Sequence, residues 1–413
     1  MRAAGGDARF ASVREGMKIG IDATSWSNWR GFGRFTRSLV RSLVRIDSQN
    51  QYVLFFDSGY EKCAGVPQAA RHIKVATTVP QDEAIGPASR RSLADIWRMT
   101  RAVAAEGLDL FFSPSVDSYF PVFKVARKVL AIYDANIDEM PEVILSNRRA
   151  RLLRWIKMRV ALRQADLVIT GSAYSRAQIK SVLGFDDSRV GIVPGGVDPI
   201  FRPPESIDHA RQIVRERYGI AGPYFLYVGG PGPTKNLQAL ADSFAALKSE
   251  REVATLAIAG KAEPGGELEM IARKLGSGAH LLGFQSDEAL VELYQAALAL
   301  VIPSLKEGYG LPGVEAVSCG TPAIVTIASP LPELLGAAAI AVDPHRPSEI
   351  TEAMRAMLLN REARETARSA AIALAGRFSW EHSARAAVEL FERVARKNSG
   401  MRPAAEMNPE KQR

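Results

Sequence analysis

The chain has 413 residues, 47% hydrophobic and 24% charged, an ordinary globular balance for two or three domains. Its net charge of +8 attracts something anionic: nucleic acid, acidic lipid or a phosphorylated substrate. Cys63 and Cys319 form no CxxC pair and no disulfide framework, which makes a reducing cytoplasm the default location.

Residues 1–16 are patternless and lack the apolar core of a signal peptide, so they read as a disordered extension. From Met17 the chain alternates between buried strands and helical patterns. Met17–Asp22 is predicted as a first strand, followed by a loop from Ser25 to Gly33. An amphipathic helix then runs from about Arg34 to Ile46, with Phe35, Leu39, Leu43 and Ile46 on one face. Strands are predicted at Tyr52–Asp57, Leu110–Phe112, Val129–Tyr133 and Leu167–Thr170. The stretch Val193–Pro204 holds four prolines and two glycines and breaks the series. A second series follows, with strands at Tyr224–Val228, Ala254–Ile258, His280–Leu282, Ala299–Ile302, Ala323–Thr326 and Ala339–Val342. Alternation of this kind predicts an α/β protein with two parallel-sheet, Rossmann-like lobes and a cleft between them. The expected boundaries are a first lobe over 17–198, a linker over 199–221, a second lobe over 222–378, a last helix over 379–397 returning to the first lobe, and a disordered tail over 398–413.

The most specific constellation is Pro303–Gly320, after a buried strand. Pro312 suits the first turn of a helix and Gly320 its end. Gly308 and Gly310 let backbone approach a ligand, and amides at such a helix start bind phosphate or a sugar oxygen. Glu307 and Glu315 bracket the turn. Carboxylates accept hydrogen bonds from hydroxyl pairs, which suits a sugar and a ribose. An acid in the first turn favoured by the helix dipole is the alternative for Glu315.

A second constellation, Val228–Asn236, joins a strand to a helix and aims Lys235 at the same crevice. It is not a triphosphate P-loop, because Thr234 precedes and Asn236 follows the lysine. A third lies between the first strand and helix, where Gly31 and Gly33 are expected to wrap a diphosphate. A dinucleotide fingerprint would place a further glycine at Thr36; Asp57, ending the second strand, is the one feature in its favour. No two aspartates stand at i and i+2, the five histidines are scattered, and there is no HExxH or GxSxG. No metal and no cofactor are therefore expected.

Arg148–Arg163 carries seven basic residues and no acid. Leu152, Trp155, Ile156 and Val160 give it apolar character as well. Such a helix suits an anionic membrane surface; an ordinary solvated basic face is the alternative. No aromatic platform or known module supports nucleic-acid binding.

Together these residues resemble glycosyltransferase family 4, the group 1 retaining glycosyltransferases, from Met17 to about Lys397. The signature is Glu307 and Glu315 with seven residues between them. Gly229 with Lys235, Leu282–Glu288 and Gly171–Arg176 support it. The opening Ile19–Ala23 and the Gly31-Phe-Gly33 loop are similar to the branch containing mannosyltransferases of bacterial surface polysaccharide synthesis. The resemblance implies the glycosyltransferase B fold. It implies that Glu315 binds the donor ribose, Glu307 contacts the donor sugar, and Lys235 neutralises the leaving diphosphate. Backbone at Gly310 and Leu311 would hold sugar or phosphate, and backbone near Phe284 the base. Two positions depart from the family: Gly230 stands where many members have arginine, and Tyr133-Asp134 where many have His-Asp. Asp134 joins Glu307 and Lys235 as an expected catalytic residue, with Tyr133, Gly229 and Gly230 lining the substrate site.

The resulting expectation is a metal-independent hexosyltransferase, first guess GDP-mannose as donor and a saccharide or lipid-linked saccharide as acceptor. It would be cytoplasmic and peripheral to the inner face of the membrane. An epimerase on the same fold and an inactive nucleotide-sugar-binding homologue stay open as alternatives.

Overall fold

The structure, a computed structural model, describes residues 16–28, 31–79, 92–145, 147–249 and 254–396. Residues 1–15 of the extension expected over 1–16, Trp29 and Arg30 of the glycine loop, and the tail lie outside the described residues.

Two all-parallel sheets carry the fold. The first contains β1 (Lys18–Asp22), β2 (Gln51–Phe56), β3 (Arg71–Lys74), β4 (Leu110–Ser113), β5 (Arg127–Ala131), β6 (Leu167–Thr170) and β7 (Val190–Ile192), ordered β3-β2-β1-β4-β5-β6-β7. The second contains β8 (Tyr224–Val228), β9 (Thr255–Ala259), β10 (Ala279–Gly283), β11 (Ala299–Ile302), β12 (Ala323–Thr326) and β13 (Ala339–Val342), ordered β10-β9-β8-β11-β12-β13. The sequences explain the parallel pairing. β4, β6, β11 and β12 are buried along their whole length, as strands covered by helices on both faces must be. Two strands escaped the sequence reading. β3 is an edge segment, Arg-His-Ile-Lys, with no apolar run, and β7 is only three residues long.

In each sheet the strand order reverses once, between β1 and β4 and between β8 and β11. Ligands of open parallel sheets bind beyond the carboxyl ends of the strands at that reversal. The loops singled out in the sequence follow β1, β5, β8, β10 and β11, so they all gather at these ends.

Two expected boundaries shift. The first helix begins at Gly31 and ends at Ile46, so Gly31 and Gly33 lie in its first turn instead of in a preceding loop. The stretch 199–221 is not all linker: it contains the helix Ile207–Tyr218, capped by Ser206, whose Ala210 and Val214 are buried in the second-lobe core. That helix follows closely on Pro203 and Pro204, and apolar positions such as Ile207, Ala210 and Val214 stand among charged and polar neighbours.

The last helix, Trp380–Arg396, closes the first lobe. Phe391 lies 5.3 Å from Phe112, and Trp380 meets Phe35 edge-on at 5.1 Å, ring centre to ring centre. The chain therefore crosses between lobes twice. The two crossings run side by side, with the Val197 N–H donating to the Phe378 carbonyl at 3.2 Å. No helix among the described residues is long and apolar enough to cross a membrane.

Candidate active site

The turn after β11 is the centre of the site. Gly310, at φ 78°, makes the left-handed step that starts the helix Leu311–Ser318, with Pro312 in its first turn. A Cβ on Gly310 would come within 2.6 Å of the Leu331 side chain, so both backbone shape and space demand glycine there. Glu307 precedes this turn. Its carboxylate accepts from the Lys235 ammonium at 2.8 Å and from the Ser304 hydroxyl at 3.0 Å. Burial alone would push the Glu307 carboxyl up; Lys235, Ser304 and the Gly308 N–H hold it below its ordinary value. Burial opposes the Lys235 ammonium, yet Glu307 leaves it above the ordinary lysine value. Both groups are thus ionised at neutral pH.

Lys235 reaches this point because its loop is pinned at both ends. The Gly229 N–H donates to Ala259 at 2.9 Å, and the Leu305 N–H donates to the Thr234 carbonyl at 2.8 Å. Asn236, in the left-handed region at φ 53°, donates to the carbonyls of Pro303 at 3.0 Å and Pro344 at 2.8 Å. A Cβ on Gly230 would meet nothing within 4 Å, so an arginine there would have room; the Gly230 carbonyl accepts from Tyr227 at 3.0 Å.

Glu315 is 3% exposed and sits one turn into its helix. The first-turn reading is therefore corrected: side chains, not the helix dipole, hold this carboxylate. Tyr294 donates to it at 3.0 Å, and Arg34 approaches it to 3.2 Å from the opposite lobe. Burial pushes the Glu315 carboxyl above its ordinary value, against Arg34 and Tyr294.

The first lobe supplies the facing wall. Asp134 follows β5 and accepts from the Asn136 N–H at 2.9 Å. It lies against Gly308, where an added Cβ would come within 2.1 Å of its Oδ2. Burial pushes the Asp134 carboxyl up to about 6; the Asn136 N–H and Arg154 pull it down, while Glu307 and Asp117 add to the rise. The Tyr133 hydroxyl donates to the Pro114 carbonyl, and its ring packs 4.6 Å from Phe35. The partly buried tyrosine ring packs against the first-lobe core.

Gly31 and Gly33 differ. A Cβ at Gly31 would stand in open space, whereas one at Gly33 would come within 2.0 Å of the Asn28 carbonyl. Gly33 thus permits close packing of the loop on its own helix. Phe284 is 65% exposed beside Gly283, which has φ 72°.

Several residues of the cleft were not legible as site residues. Tyr309 donates to the Gly195 carbonyl at 2.9 Å, and its ring fills the space left by Gly171 and Gly195. Lys306 pairs with Glu139 across the lobes. Arg154, from the basic stretch, binds Asp117 and Asp138 at 2.8 Å each. In the sequence it was one cation among seven. Only the fold separates it from the others.

The comparisons with known proteins fall on both lobes. Residues 29–201 match the model for glycosyltransferase family 4, and residues 211–374 match the model for glycosyl transferases group 1. The serotype-specific mannosyltransferase WbdA of Escherichia coli is 24% identical over 406 residues, covering 92% of this chain and 48% of that protein. The chain thus spans about half the length of that relative. The O-antigen chain mannosyltransferase B of Escherichia coli is 28% identical over 272 residues, 64% of this chain and 69% of that one. Among solved structures, WaaG, a glycosyltransferase involved in lipopolysaccharide biosynthesis, superposes with a TM-score of 0.71 at 17% identity, over 90% of this chain and 99% of its own. Matched in order along both of its lobes, the chain belongs to the group 1 glycosyltransferases of family 4.

Proposed function

We propose that the protein transfers a hexose from a nucleoside-diphosphate sugar to a saccharide or lipid-linked saccharide with retention of anomeric configuration, without a metal, in the synthesis of a polysaccharide. Mannose from GDP-mannose is the first choice of donor, supported by the two mannosyltransferase relatives. The observation that carries the reading is the Lys235–Glu307 pair at the carboxyl end of β11, with Asp134 facing it and Glu315 beyond it.

Chemically, the leaving group is a diphosphate whose charge grows as the glycosidic bond breaks. Lys235 and the amides at the start of the helix Leu311–Ser318 meet that charge. Glu307 orients Lys235 and accepts from a sugar hydroxyl. The acceptor hydroxyl attacks from the face the diphosphate leaves, and a diphosphate oxygen takes its proton. Contacts between the lobes, at Tyr309 and Asp134, exclude water from the reacting centre.

The helix Arg148–Gln164 supports a lipid-linked acceptor and a place at the membrane surface. Its inner face buries Ala150, Met158 and Ala161. Leu152, Leu153, Trp155 and Ile156 are 57%, 64%, 55% and 43% exposed, and the exposed residues Arg148, Arg149, Arg159 and Arg163 flank them. Arg154 ties the same helix to the cleft wall.

A thermal-shift screen of nucleotide sugars tests the donor. A ligand at about 100 times its dissociation constant adds about 2.7 kcal/mol of stability. Stabilisation by GDP-mannose, followed by transfer to a saccharide acceptor, is the expected result. A protein that no nucleoside-diphosphate sugar stabilises would sink the reading.

A further inference from the structure

Among the described residues, Arg34 is the guanidinium that binds the buried Glu315 from across the cleft. It sits in the first turn of the helix Gly31–Ile46. One of its nitrogens lies 3.2 Å from Glu315 and another 3.0 Å from Asp287, both on the second lobe. Its guanidinium stacks 5.3 Å over the ring of Phe201, on the segment joining the lobes. Burial lowers its proton affinity, but Glu315 and Asp287 more than offset this, so it stays a full cation.

The two partners of Glu315 are not equivalent. Tyr294 is fully buried on the helix Asp287–Ala296 and is a fixed donor. Arg34 reaches over on a long stem that keeps 22% of its side chain exposed. A ribose diol brings two O–H donors that match a carboxylate. Glu315 is buried with one donor on each oxygen, so a diol that reaches it competes with Arg34, the partly exposed partner.

The charge balance says where the released cation goes. A sugar-linked diphosphate is dianionic at neutral pH. Lys235 meets it already neutralised by Glu307, Lys306 is paired with Glu139, and Arg37 donates to the carbonyls of Trp26 and Asn28. Arg34 holds a bidentate-capable fork beside the ribose carboxylate, and the first phosphate of the donor is attached to that same ribose. A guanidinium displaced from Glu315 therefore stays beside the ribose-linked phosphate, whose oxygens accept its fork as a carboxylate does.

We propose that Arg34 is a donor-binding residue that exchanges partners, passing from Glu315 to the donor diphosphate as the ribose takes Glu315. The proposal rests on the reading of Glu315 as the ribose carboxylate. It places one diphosphate cation on each lobe, Lys235 on the second and Arg34 on the first, so the donor takes over the link that Arg34 makes directly to Glu315. Asp287, at 45% side-chain exposure, remains solvated when Arg34 leaves.

Titration of nucleoside, nucleoside monophosphate and nucleoside diphosphate, in the uridine and guanosine series, separates the two halves of the exchange. In Arg34→Gln the diphosphate is expected to bind about tenfold to a hundredfold more weakly, the loss of a charge-assisted hydrogen bond. The nucleoside should bind as well as before or better, because nothing competes for Glu315. Arg34→Lys should recover part of the diphosphate affinity, and it carries the test if Arg34→Gln melts before titration. An unchanged ratio of diphosphate to nucleoside affinity overturns the proposal and leaves Arg34 a strut between lobes. Equal losses for both ligands also overturn it, since Arg34 would then only shape Glu315. If instead Glu315→Gln leaves nucleoside affinity untouched, the ribose reading fails on its own, independently of the Arg34 ratio.

Discussion

The Lys235 ammonium lies 2.8 Å from the Glu307 carboxylate, although 72 residues separate them. The pair joins the loop after β8 to the loop after β11, the neighbouring strands on either side of the sheet's reversal. Each charge is affordable in its half-buried place because the other is there. The pair serves the fold and supplies a cation at the point where a diphosphate would leave.

Lys235→Met is therefore expected to cost both stability and transfer. Breaking a buried pair strands the remaining charge, at about 3–5 kcal/mol when fully buried. With Lys235 33% and Glu307 17% exposed at the side chain, about 1–3 kcal/mol is the expected loss. The double variant Lys235→Met/Glu307→Gln should regain most of the stability and none of the transfer. Denaturant unfolding and a transfer assay on the same preparations check both halves. A double variant as unstable as the single one would show that the pair does not hold the two loops together.

Glu315→Gln removes the charge while keeping the shape. Its effect should fall on nucleotide binding, weakening the nucleoside diphosphate by about 1.5–3 kcal/mol. Glu315→Ala is a poorer probe than a first-turn position would make it. It would leave a cavity and take the acceptor from the buried Tyr294 hydroxyl. Calorimetric titration of the glutamine variant measures the first effect; unchanged affinity would take the ribose away from Glu315.

The sequence carried the fold because its strands are short apolar runs separated by helical spacing, as at Leu167–Thr170 and Ala299–Ile302. It carried Glu307, Lys235 and Glu315 because each lies just past a strand end in a glycine-rich turn. It did not carry the partners. Nothing in the spacing of Arg34 distinguishes it from Arg37 and Arg41, which share its helix, and only the closed arrangement of the lobes sets it on Glu315. Tyr133 is similar. Its place after β5 is legible as a strand end, but its packing on Phe35 and its bond to the Pro114 carbonyl are not. Long-range pairings of this kind depend on the three-dimensional path of the chain, which local periodicity does not encode.

Transfer is expected to show an acid limb set by Asp134. With its carboxyl pushed up to about 6 by burial, it is charged above that pH and neutral below it. If the charged form contacts substrate, the rate should fall about tenfold per pH unit below 6. Asp134→Asn should be slower and lose that limb. Stability has the opposite sign. A folded value above the unfolded one means the fold favours the neutral acid, so this contribution is present below about pH 4 and lost as pH rises through 6. Melting curves should show the wild type gaining on Asp134→Asn as pH falls from 6 to 4. Parallel pH–rate profiles for the two proteins would remove Asp134 from the reacting centre.

Transfer is expected to persist in excess chelator. On the proposed reading Lys235 is the cation at the leaving group, and the sequence has no Asp-x-Asp pair to carry a metal–nucleotide complex. A complete loss of transfer that magnesium or manganese restores would rule out the metal-independent mechanism.

The basic helix divides into two sets of cations, and the division sharpens the membrane test. Arg151 pairs with Glu142, Arg154 with Asp117 and Asp138, and Lys157 donates to the Asp117 carbonyl. Replacing these would disturb the cleft wall and confuse docking with catalysis. Arg148, Arg149, Arg159 and Arg163 are exposed around Leu152, Trp155 and Ile156. Each is worth about 1 kcal/mol near an anionic surface, with Trp155 as the interfacial anchor. Sedimentation with phosphatidylglycerol-containing vesicles should show binding at low salt that weakens at high salt. Arg148→Ser/Arg149→Ser/Arg163→Ser should release the protein from vesicles while nucleotide binding and melting temperature stay as in the wild type. Arg159 is best kept, because it lies 5.1 Å over the Trp155 ring and orients it. A wild type that ignores anionic vesicles even at low salt would make this face an ordinary solvated one, and a soluble saccharide would then be the better choice of acceptor.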